Sequence, residues 1–495
     1  MGSRFSLDEI EHILHHLNYR WNLEALALWK GDRIPIKPYR IYADYEEFLS
    51  ADTLQTIEAG EEGIRRRRLR HALVDHWLQR TLLPYETEMR TWMRGAAAIV
   101  HGKKIYLRDV ISWCQKGSSF DDRRILQKET TALCKFLKPF AVGYWDVLLQ
   151  ILREEFGFEN YIDYCSEKKG FDYPRQYEIL KGLLQETDSL YFRCMEDWCR
   201  RRFQRSLGDL TRYDAINLLG LAEFDSLFPA KGLRDLTGFF RYWGMDLDTL
   251  PGLHLDLGTE EGKTPQALCL LLQIPDEVYV LMKPEGGWID LETLWHELGH
   301  GLSAAYTAPE LSVVEREMAT SFALSEAYAF LLQDIGLSMP FLRDYLGLEE
   351  EIAGRLFYHK TIKDLAVLRR YAAKYITEYE MFLAGDIADG ERYAQTMARY
   401  TGFIYQAESH LFDLVPELYC LEYVLAMMAA PILEARLREK AGPGWMFSPV
   451  AGELLKMWWR EGCRYDIGEF LPVMEMEELT GETLLRRWKG ILPEG

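Results

Sequence analysis

Helical periodicity extends over almost all of this chain, and it constrains the fold more than any other feature of the sequence. Residues 7 to about 205 place apolar residues three and four positions apart, as in the early segment LDEIEHILHHLNYRWNLEALALW. This spacing predicts amphipathic helices, each of which must bury one face against a neighbour. The same periodicity returns after residue 290 and continues to the end. We therefore expect a mainly α protein.

One stretch interrupts the helical pattern, between residues 250 and 287. It carries several glycines and prolines around two short apolar runs, residues 267–273 and 277–283. These runs predict two strands joined by a turn at Pro275-Asp276. The pair Gly286-Gly287 ends the stretch, and Asp290 is the predicted N-cap of the helix that follows.

The domain boundaries are soft, because the chain has no internal repeat and no low-complexity linker. The pattern of residues along the sequence changes near residue 206, and AGPGW at residues 441–445 is the clearest late break in the helical pattern. We predict an N-terminal helical region over 1–205, a central region over 206–440 that carries the chemistry, and a C-terminal helical region over 441–495. All three can pack as one compact unit.

Composition excludes some classes of partner. The 495 residues carry a formal net charge of −19, whereas a nucleic-acid partner requires a basic face. Hydrophobic content of 48% and charged content of 27% are typical of soluble globular proteins. The eight cysteines are scattered, which favours free thiols in a reducing compartment. The first residues lack an apolar leader and the apolar runs are short. We expect a cytoplasmic protein with no membrane partner, and we assign no oligomeric state.

The motif His296-Glu297-Leu298-Gly299-His300 is the strongest chemical signal in the chain. On a helix, residues four apart lie on one face, so both imidazoles can point at one ion, and Glu297 lies about 100° round the helix. A catalytic zinc site needs nitrogen donors, an open position for water and a carboxylate that takes the proton of that water. The motif supplies two donors and the base. The alternative is a pair of partly buried histidines bonded to backbone or solvent.

A third ligand is still needed, and three downstream acids compete for the role. Glu315 and Glu317 lie in a charged cluster around Arg316, which is typical of a solvent-facing first turn. Glu326 is the only acid in the apolar middle of the segment VEREMATSFALSEAYAFLLQDI, which we read as one helix. Burying a carboxylate without a cation is costly, so a metal is its natural partner. The burial pattern favours Glu326, with Glu317 as the alternative.

The predicted strands just before the motif suit a site where an extended peptide lies along the edge of a sheet. Together with the motif, they resemble the thimet oligopeptidase and oligopeptidase F family of zinc metallopeptidases. The resemblance covers roughly residues 210–437, and its strongest parts are GKTPQALCLLLQIPDEVYVLMKPEGGWIDLETLWHELGHG and SEAYAFLLQDI. It implies a large helical metallopeptidase fold with a deep substrate channel for short unfolded peptides. It also implies that the only sheet is a small one beside the zinc-binding helix.

The resemblance also implies roles for individual residues. In the family the third ligand is a glutamate about 25 residues beyond the second histidine, an interval that Glu326 matches and Glu317 does not. The tract HLFDLVPELYCLEYVLAMMAAPILEARLRE resembles the C-terminal part of the family, where tyrosines contact the substrate and the tetrahedral intermediate. The matching positions are Tyr419 and Tyr423, and His410 is a weaker candidate for substrate contact. Many members carry a histidine where this chain has Ser303.

These inferences predict a zinc-dependent peptidase that cleaves short peptides internally. His296, His300 and Glu326 hold one Zn²⁺ per chain, Glu297 is the general base, and Tyr423 or Tyr419 stabilises the oxyanion. Two alternatives remain. One is a carboxypeptidase or aminopeptidase with the same zinc core, and the other is a non-catalytic helical binding protein whose site has lapsed.

Overall fold

The computed structural model describes residues 5–32, 38–264 and 266–492, and it confirms a mainly α fold. Over these residues the helices are α1 Leu7–Lys30, α2 Ala51–Glu58, α3 Ile64–Gly95, α4 Val110–Gln115, α5 Phe120–Glu154, α6 Tyr161–Lys169, α7 Tyr173–Phe203, α8 Arg212–Leu219, α9 Trp288–Ala305, α10 Val313–Glu317, α11 Ala323–Gly336, α12 Glu350–Ala384, α13 Gly390–Thr401, α14 His410–Asp413, α15 Cys420–Ala441, α16 Pro449–Trp459, α17 Ile467–Val473 and α18 Glu482–Ile491. The strands are β1 Ala97–Val100, β2 Lys103–Tyr106, β3 Leu253–Asp256, β4 Leu268–Gln273 and β5 Glu277–Leu281. Strands β4 and β5 are the two strands predicted from the sequence.

The chain divides into two compact units, each assembled from three separate segments. The first consists of Met1–Leu83, Ser226–Leu348 and Ala426–Leu479, and the second of Pro84–Asp225, Glu349–Leu425 and Thr480–Gly495. The domain boundaries near residues 205 and 440 are inferred from changes in the sequence pattern, and they stay a prediction.

The first unit contains a three-stranded sheet in the order β3-β5-β4. Strand β3 runs parallel to β5, and β4 pairs with β5 antiparallel. The Val278 N–H donates to Gly252 O at 2.8 Å, on the β3 side. Because Leu271 lies opposite Val278, its own N–H and C=O point away from β5. Strand β4 is therefore an edge strand, and the backbone groups of every second residue point away from β5.

Helices cover both faces of this sheet. On one face Leu26 and Trp29 of α1 pack against Leu272 and Leu281. On the other face α9 comes so close that a Cβ on Gly301 would lie 2.5 Å from Val280 Cγ2. The alternation of side chains along a strand explains why one sheet serves both helices.

Helix α9 begins after two glycines with positive φ, 88° at Gly286 and 117° at Gly287. The prediction that Asp290 is the N-cap is wrong, because the helix already begins at Trp288. Asp290 instead lies within the first turn, where its carboxylate accepts the N–H groups of Glu285 at 2.9 Å and Gly286 at 2.6 Å. It therefore fixes the glycine turn from inside the helix.

The segment read as one helix over residues 314–335 is two helices in the structure. The short α10 ends at Glu317, and α11 begins at Ala323. Met318, at the break, has φ −108° and ψ 54°, which no α-helix accommodates. Apolar periodicity alone could not show this break, because buried residues continue across it.

The second unit contains a second sheet, so the expectation of a single sheet is wrong. Strands β1 and β2 form an antiparallel hairpin whose turn residues, His101 and Gly102, both have positive φ. Ala98 and Ile105 from this hairpin join a small core with Leu126 of α5. Each strand has only four residues, too few to give a clear alternating signal in the sequence.

By length and composition alone, one helix of the described chain, Pro416–Ala441, could cross a membrane, although 83% of its apolar window is buried inside the protein. All eight cysteines are free thiols, as the sequence predicts.

Candidate metal centre

Three side chains of the first unit converge on one point. His296 Nε2 lies 3.3 Å from Glu326 Oε2, and His300 Nε2 lies 3.6 Å from the same oxygen. One ligand atom from each of the three residues lies within 4.8 Å of the others. Among the described residues this is the only group of three or more such side chains close enough to hold a metal ion.

Close packing of α9 against α11 makes this convergence possible. A Cβ added to Gly299 would lie 2.4 Å from Ala329 Cα and 2.7 Å from Tyr328 O, so only a glycine allows the two backbones to approach this far. The imidazoles project from α9 on either side of this contact, and Glu326 projects from α11. Gly299, which the sequence shows only as a variable position of the motif, therefore sets the distance between the ligands.

Hydrogen bonds on the far side of each imidazole fix its orientation. His296 Nδ1 lies 3.0 Å from Gln333 Oε1, and Gln333 Nε2 donates to Glu292 Oε1 at 3.2 Å. Because the Gln333 amide donates to Glu292, its oxygen must accept the Nδ1 proton of His296. The Nε2 lone pair is then directed towards Glu326. His300 has the same arrangement, with Nδ1 2.8 Å from Ser325 Oγ.

The charges of the group suit a cation. Burial alone raises the pKa of Glu326, but His300 and His296 outweigh it and hold that pKa well below its ordinary value. Burial alone lowers the pKa of His300, yet the Glu326 carboxylate reverses the shift, and the net pKa is raised. Glu326 is only 3% exposed. An ionised carboxylate at that depth requires a positive partner, and two imidazoles with one carboxylate are the donor set of a catalytic zinc site.

Glu297 lies beside both this group and the edge strand. Burial raises the pKa of Glu297, and the nearby imidazoles of His300 and His296 offset part of that rise. The backbone of Cys269 also lowers this pKa, so Cys269 lies near the carboxylate. Cys269 lies opposite Val280 in the ladder, so its N–H points outwards like that of Leu271. The Glu297 carboxylate is therefore near the outward-facing backbone of β4 as well as the two imidazoles.

The competing acids make other contacts. Glu315 accepts the N–H and hydroxyl of Ser312 at 3.1 and 2.8 Å and pairs with Arg464 at 3.1 Å. Glu317 was expected to face solvent, but its side chain is only 9% exposed. It pairs with His15 of α1 at 2.7 Å and accepts the N–H of Ile274 at 3.2 Å. Glu317 therefore ties α10 to α1 and to the end of β4.

The two tyrosines belong to the second unit. The rings of Tyr419 and Tyr423 are in edge-to-face contact, with centroids 5.1 Å apart. The Tyr423 ring also stacks on Tyr371, with centroids 5.0 Å apart. Both are partly exposed. Their role towards a substrate stays a prediction. His410 is 3% exposed, and both ring nitrogens contact backbone carbonyls, Nε2 with Ile387 O at 2.6 Å and Nδ1 with Ala407 O at 3.2 Å.

Sequence reasoning missed the residues that support the ligands. Gln333 lies seven residues after Glu326, which is two helical turns on the same face, and that spacing is a signal that could have found it. Ser325 directly precedes the ligand and offers no such periodicity. Nothing in the sequence pairs Cys269 with Glu297, because that contact depends on the register of β4 against α9.

The fold is that of known peptidase structures. The chain is similar to PZ peptidase A with a bound inhibitor, at 13% identity and a TM-score of 0.62, with 98% of this chain and 86% of that chain covered. It is also similar to a structure described as an oligoendopeptidase F from Bacillus anthracis, at 15% identity, a TM-score of 0.53, and coverage of 97% and 84%. The Trypanosoma cruzi metallocarboxypeptidase 1 gives 15% identity, a TM-score of 0.60, and 99% coverage of both chains.

No protein-family profile and no curated protein sequence matches the chain. The similarity to solved peptidase structures confirms, at the level of the fold, the family resemblance predicted from the sequence.

Proposed function

We propose that this chain is a zinc-dependent peptidase that hydrolyses short peptides at internal bonds. The observation that carries the proposal is the convergence of His296, His300 and Glu326 next to Glu297, which lies near the edge strand β4. Peptidase structures with the same fold support it. The proposal includes a cytoplasmic location and no nucleic-acid partner, consistent with the net charge of −19.

The residues present fit zinc. His296, His300 and Glu326 would hold the ion through two imidazole nitrogens and one carboxylate. A bound zinc ion supplies Lewis acidity, which polarises a carbonyl and makes a water molecule more acidic. Gln333 and Ser325 hold the two imidazoles in the orientation that this requires. One ion per chain follows from the single cluster in the described residues.

Glu297 acts as the general base. Its carboxylate takes the proton of the attacking water and later passes it to the leaving amine, so that one group serves both steps. Burial raises the pKa of Glu297, which makes it a stronger proton acceptor than an exposed carboxylate.

We assign stabilisation of the oxyanion to Tyr423 or Tyr419. A phenol donates a hydrogen bond without carrying charge, as an oxyanion formed in a buried site requires. The deep substrate channel for short unfolded peptides, which the family resemblance implies, is part of this proposal.

The edge strand β4 offers a place for an extended peptide. Its outward groups include the Cys269 C=O and the Leu271 N–H, which alternate as a pairing strand requires. Helix α1 already satisfies two other carbonyls of this segment. Asn22 Nδ2 donates to Leu271 O and Trp29 Nε1 to Gln266 O, both at 2.7 Å. A peptide therefore pairs over a short stretch near Glu297 rather than along the whole strand.

A carboxypeptidase with the same core is the second candidate. The metallocarboxypeptidase structure matches this chain over 99% of both lengths, whereas the PZ peptidase A and oligoendopeptidase F structures are matched over 86% and 84% of theirs. A peptide whose two ends are chemically blocked separates the candidates. An oligoendopeptidase cleaves it, whereas a carboxypeptidase needs the free C-terminus.

The test begins with protein stripped of metal by a chelator and then given one equivalent of zinc. Mass spectrometry of a mixed peptide library should show cleavage only after zinc is restored. Glu297→Gln should bind zinc as the unmodified protein does and lose at least about 100-fold in turnover, the usual size of a general-base contribution. Glu351→Gln, at an exposed position on α12, is the control and should keep full activity. Normal turnover by Glu297→Gln would contradict the mechanism.

A further inference from the structure

We infer that a cavity beside His300 is a specificity subsite, which receives a bulky uncharged side chain of the peptide one or two residues from the scissile bond. The inference rests on the proposed function, because it names what the cavity holds when a peptide occupies the site.

The cavity lies in the first unit and has a volume of about 90 Å³. Its wall is mainly apolar and aromatic, and includes Leu271, Ile274, Ala304, Leu324, Tyr328 and Trp459. An apolar cavity of about 150 Å³ is large enough to bind benzene, so this one suits a side chain about the size of leucine or methionine. Phe322 also lines it and is 46% exposed, so the cavity reaches the surface there.

Three buried polar atoms of residues on this wall have no hydrogen-bond partner among the described residues. They are the hydroxyl of Tyr328, which is 3% exposed, the indole Nε1 of Trp459, which is 1% exposed, and the guanidinium Nε of Arg316. The rings of Tyr328 and Trp459 are in edge-to-face contact, with centroids 6.3 Å apart. Buried polar groups are almost always satisfied. Three unsatisfied groups beside one cavity therefore indicate a place that a ligand or water fills, rather than a packing void.

The cavity adjoins the metal centre through His300. The Nε2 of His300 faces Glu326, and its Nδ1 contacts Ser325, which itself lines the cavity. Leu271 brings the edge strand to the same cavity, two residues after Cys269. Two residues of extended chain span about 6.6 Å. A peptide that pairs with β4 near Glu297 therefore places a neighbouring side chain at the level of the cavity.

The largely apolar wall favours an uncharged occupant. Glu317 pairs with His15, and Ser303 Oγ donates to His300 O at 3.0 Å. Arg316 Nη1 donates to Pro309 O at 2.8 Å, and its Nε has no hydrogen-bond partner among the described residues. The apolar wall would desolvate a charged side chain, whereas the indole, the phenol and the Arg316 Nε can each hydrogen-bond to a neutral acceptor.

Filling the cavity tests the inference. Ala304 lines it and is 6% exposed, so Ala304→Met occupies the space. Ala305→Met is the matched control, because Ala305 is the next residue of α9 and does not line the cavity. Ala319→Leu narrows the cavity from a half-buried position outside any helix, and it serves if Ala304→Met fails to fold.

The readout is kcat/KM for zinc-loaded enzyme on peptides that differ only at the positions beside the cleaved bond, with Gly, Leu, Met or Asp there. We expect the unmodified enzyme to favour Leu or Met over Gly by about 10-fold or more at one position, the usual size of a hydrophobic-pocket preference. Ala304→Met and Ala319→Leu should bring that ratio close to one, and Ala305→Met should leave it unchanged. An unchanged ratio in a folded Ala304→Met or Ala319→Leu variant overturns the subsite and leaves the proposed function intact.

Binding of N-acetyl-leucinamide, followed by saturation-transfer NMR, requires no turnover. If zinc-loaded protein cleaves no peptide but binds this probe, and Ala304→Met loses the binding, the proposed function fails and the cavity still selects the side chain. If the unmodified protein binds N-acetyl-leucinamide no better than N-acetyl-glycinamide, the subsite is overturned.

Discussion

Replacing Gly299 by alanine tests whether the contact between α9 and α11 sets the geometry of the metal centre. The added Cβ would lie 2.4 Å from Ala329 Cα, whereas ordinary carbon contacts begin at 3.4 Å, so the two helices must separate by about 1 Å. The atoms that it meets are backbone atoms of α11, which cannot rotate away as a side chain can. Because Glu326 lies on α11 and both histidines lie on α9, separating the helices lengthens the distances between the metal ligands.

The expected loss has two parts. Overpacking of this kind costs about 1 to 3 kcal/mol in the free energy of unfolding. Metal–ligand distances tolerate only about 0.2 Å, so a 1 Å displacement should weaken zinc binding strongly. A comparable displacement in an active site lowers turnover by about 100-fold. Thermal unfolding gives the first part, and zinc titration against a chromophoric chelator gives the second.

Gly182→Ala is the matched control, because Gly182 is also in a helix, α7, but a Cβ there meets nothing within 4 Å. It should stabilise the protein by up to about 1 kcal/mol, as alanine does in a helix interior, and leave zinc affinity unchanged. If Gly299→Ala binds zinc as tightly as the unmodified protein, close helix contact does not position the ligands, and the reasoning is refuted.

Two further predictions concern the surroundings of the site. Gln333→Leu removes the acceptor of the His296 Nδ1 proton and should lower zinc affinity by about 10- to 100-fold, measured by the same titration. An affinity within twofold of the unmodified protein contradicts this role. His15→Gln removes the partner of Glu317. The hydrogen bond with Glu317 raises the pKa of His15 in the folded state, so the pair stabilises the fold fully below the unfolded pKa, and this contribution is lost as pH rises through the folded pKa. The unmodified protein should therefore exceed His15→Gln by about 1 kcal/mol in the free energy of unfolding at pH 5.5 and by little at pH 9.

The charged groups around His15 support the sign of this pH dependence. Burial and Arg316 lower the pKa of His15, while Glu317 and Glu11 raise it, and the net shift is upwards. His12→Gln is the control, because His12 is exposed on the same helix and should leave the difference between the two pH values unchanged. If the difference in the free energy of unfolding between the unmodified protein and His15→Gln grew with rising pH, the pairing of His15 with Glu317 would be contradicted.

The parts of the structure that sequence could predict are those set by local periodicity. The long helices follow from apolar spacing, and β4 and β5 follow from two apolar runs divided by Pro275-Asp276. The spacing of His296 and His300 already places them on one face. Glu326 stood out because a single acid in an apolar stretch is rare. These signals lie within one element or between neighbouring elements.

What sequence could not predict depends on contacts between distant segments. Glu317 looked like a surface residue because Arg316 and Glu315 flank it, yet His15, some 300 residues earlier in the chain, covers it. The break at Met318 leaves the apolar pattern intact, so periodicity could not detect it. Each compact unit also combines three separate segments, and no composition change marks where they join.

The central claim is that His296, His300 and Glu326 hold one zinc ion. The most direct test is the zinc stoichiometry and affinity of Glu326→Gln beside Glu317→Gln, which removes the acid that the sequence left as the alternative ligand. Our account predicts about one zinc per chain in the unmodified protein and in Glu317→Gln. It also predicts a large loss of affinity in Glu326→Gln. Full zinc binding by Glu326→Gln, or its loss in Glu317→Gln, would contradict the assignment.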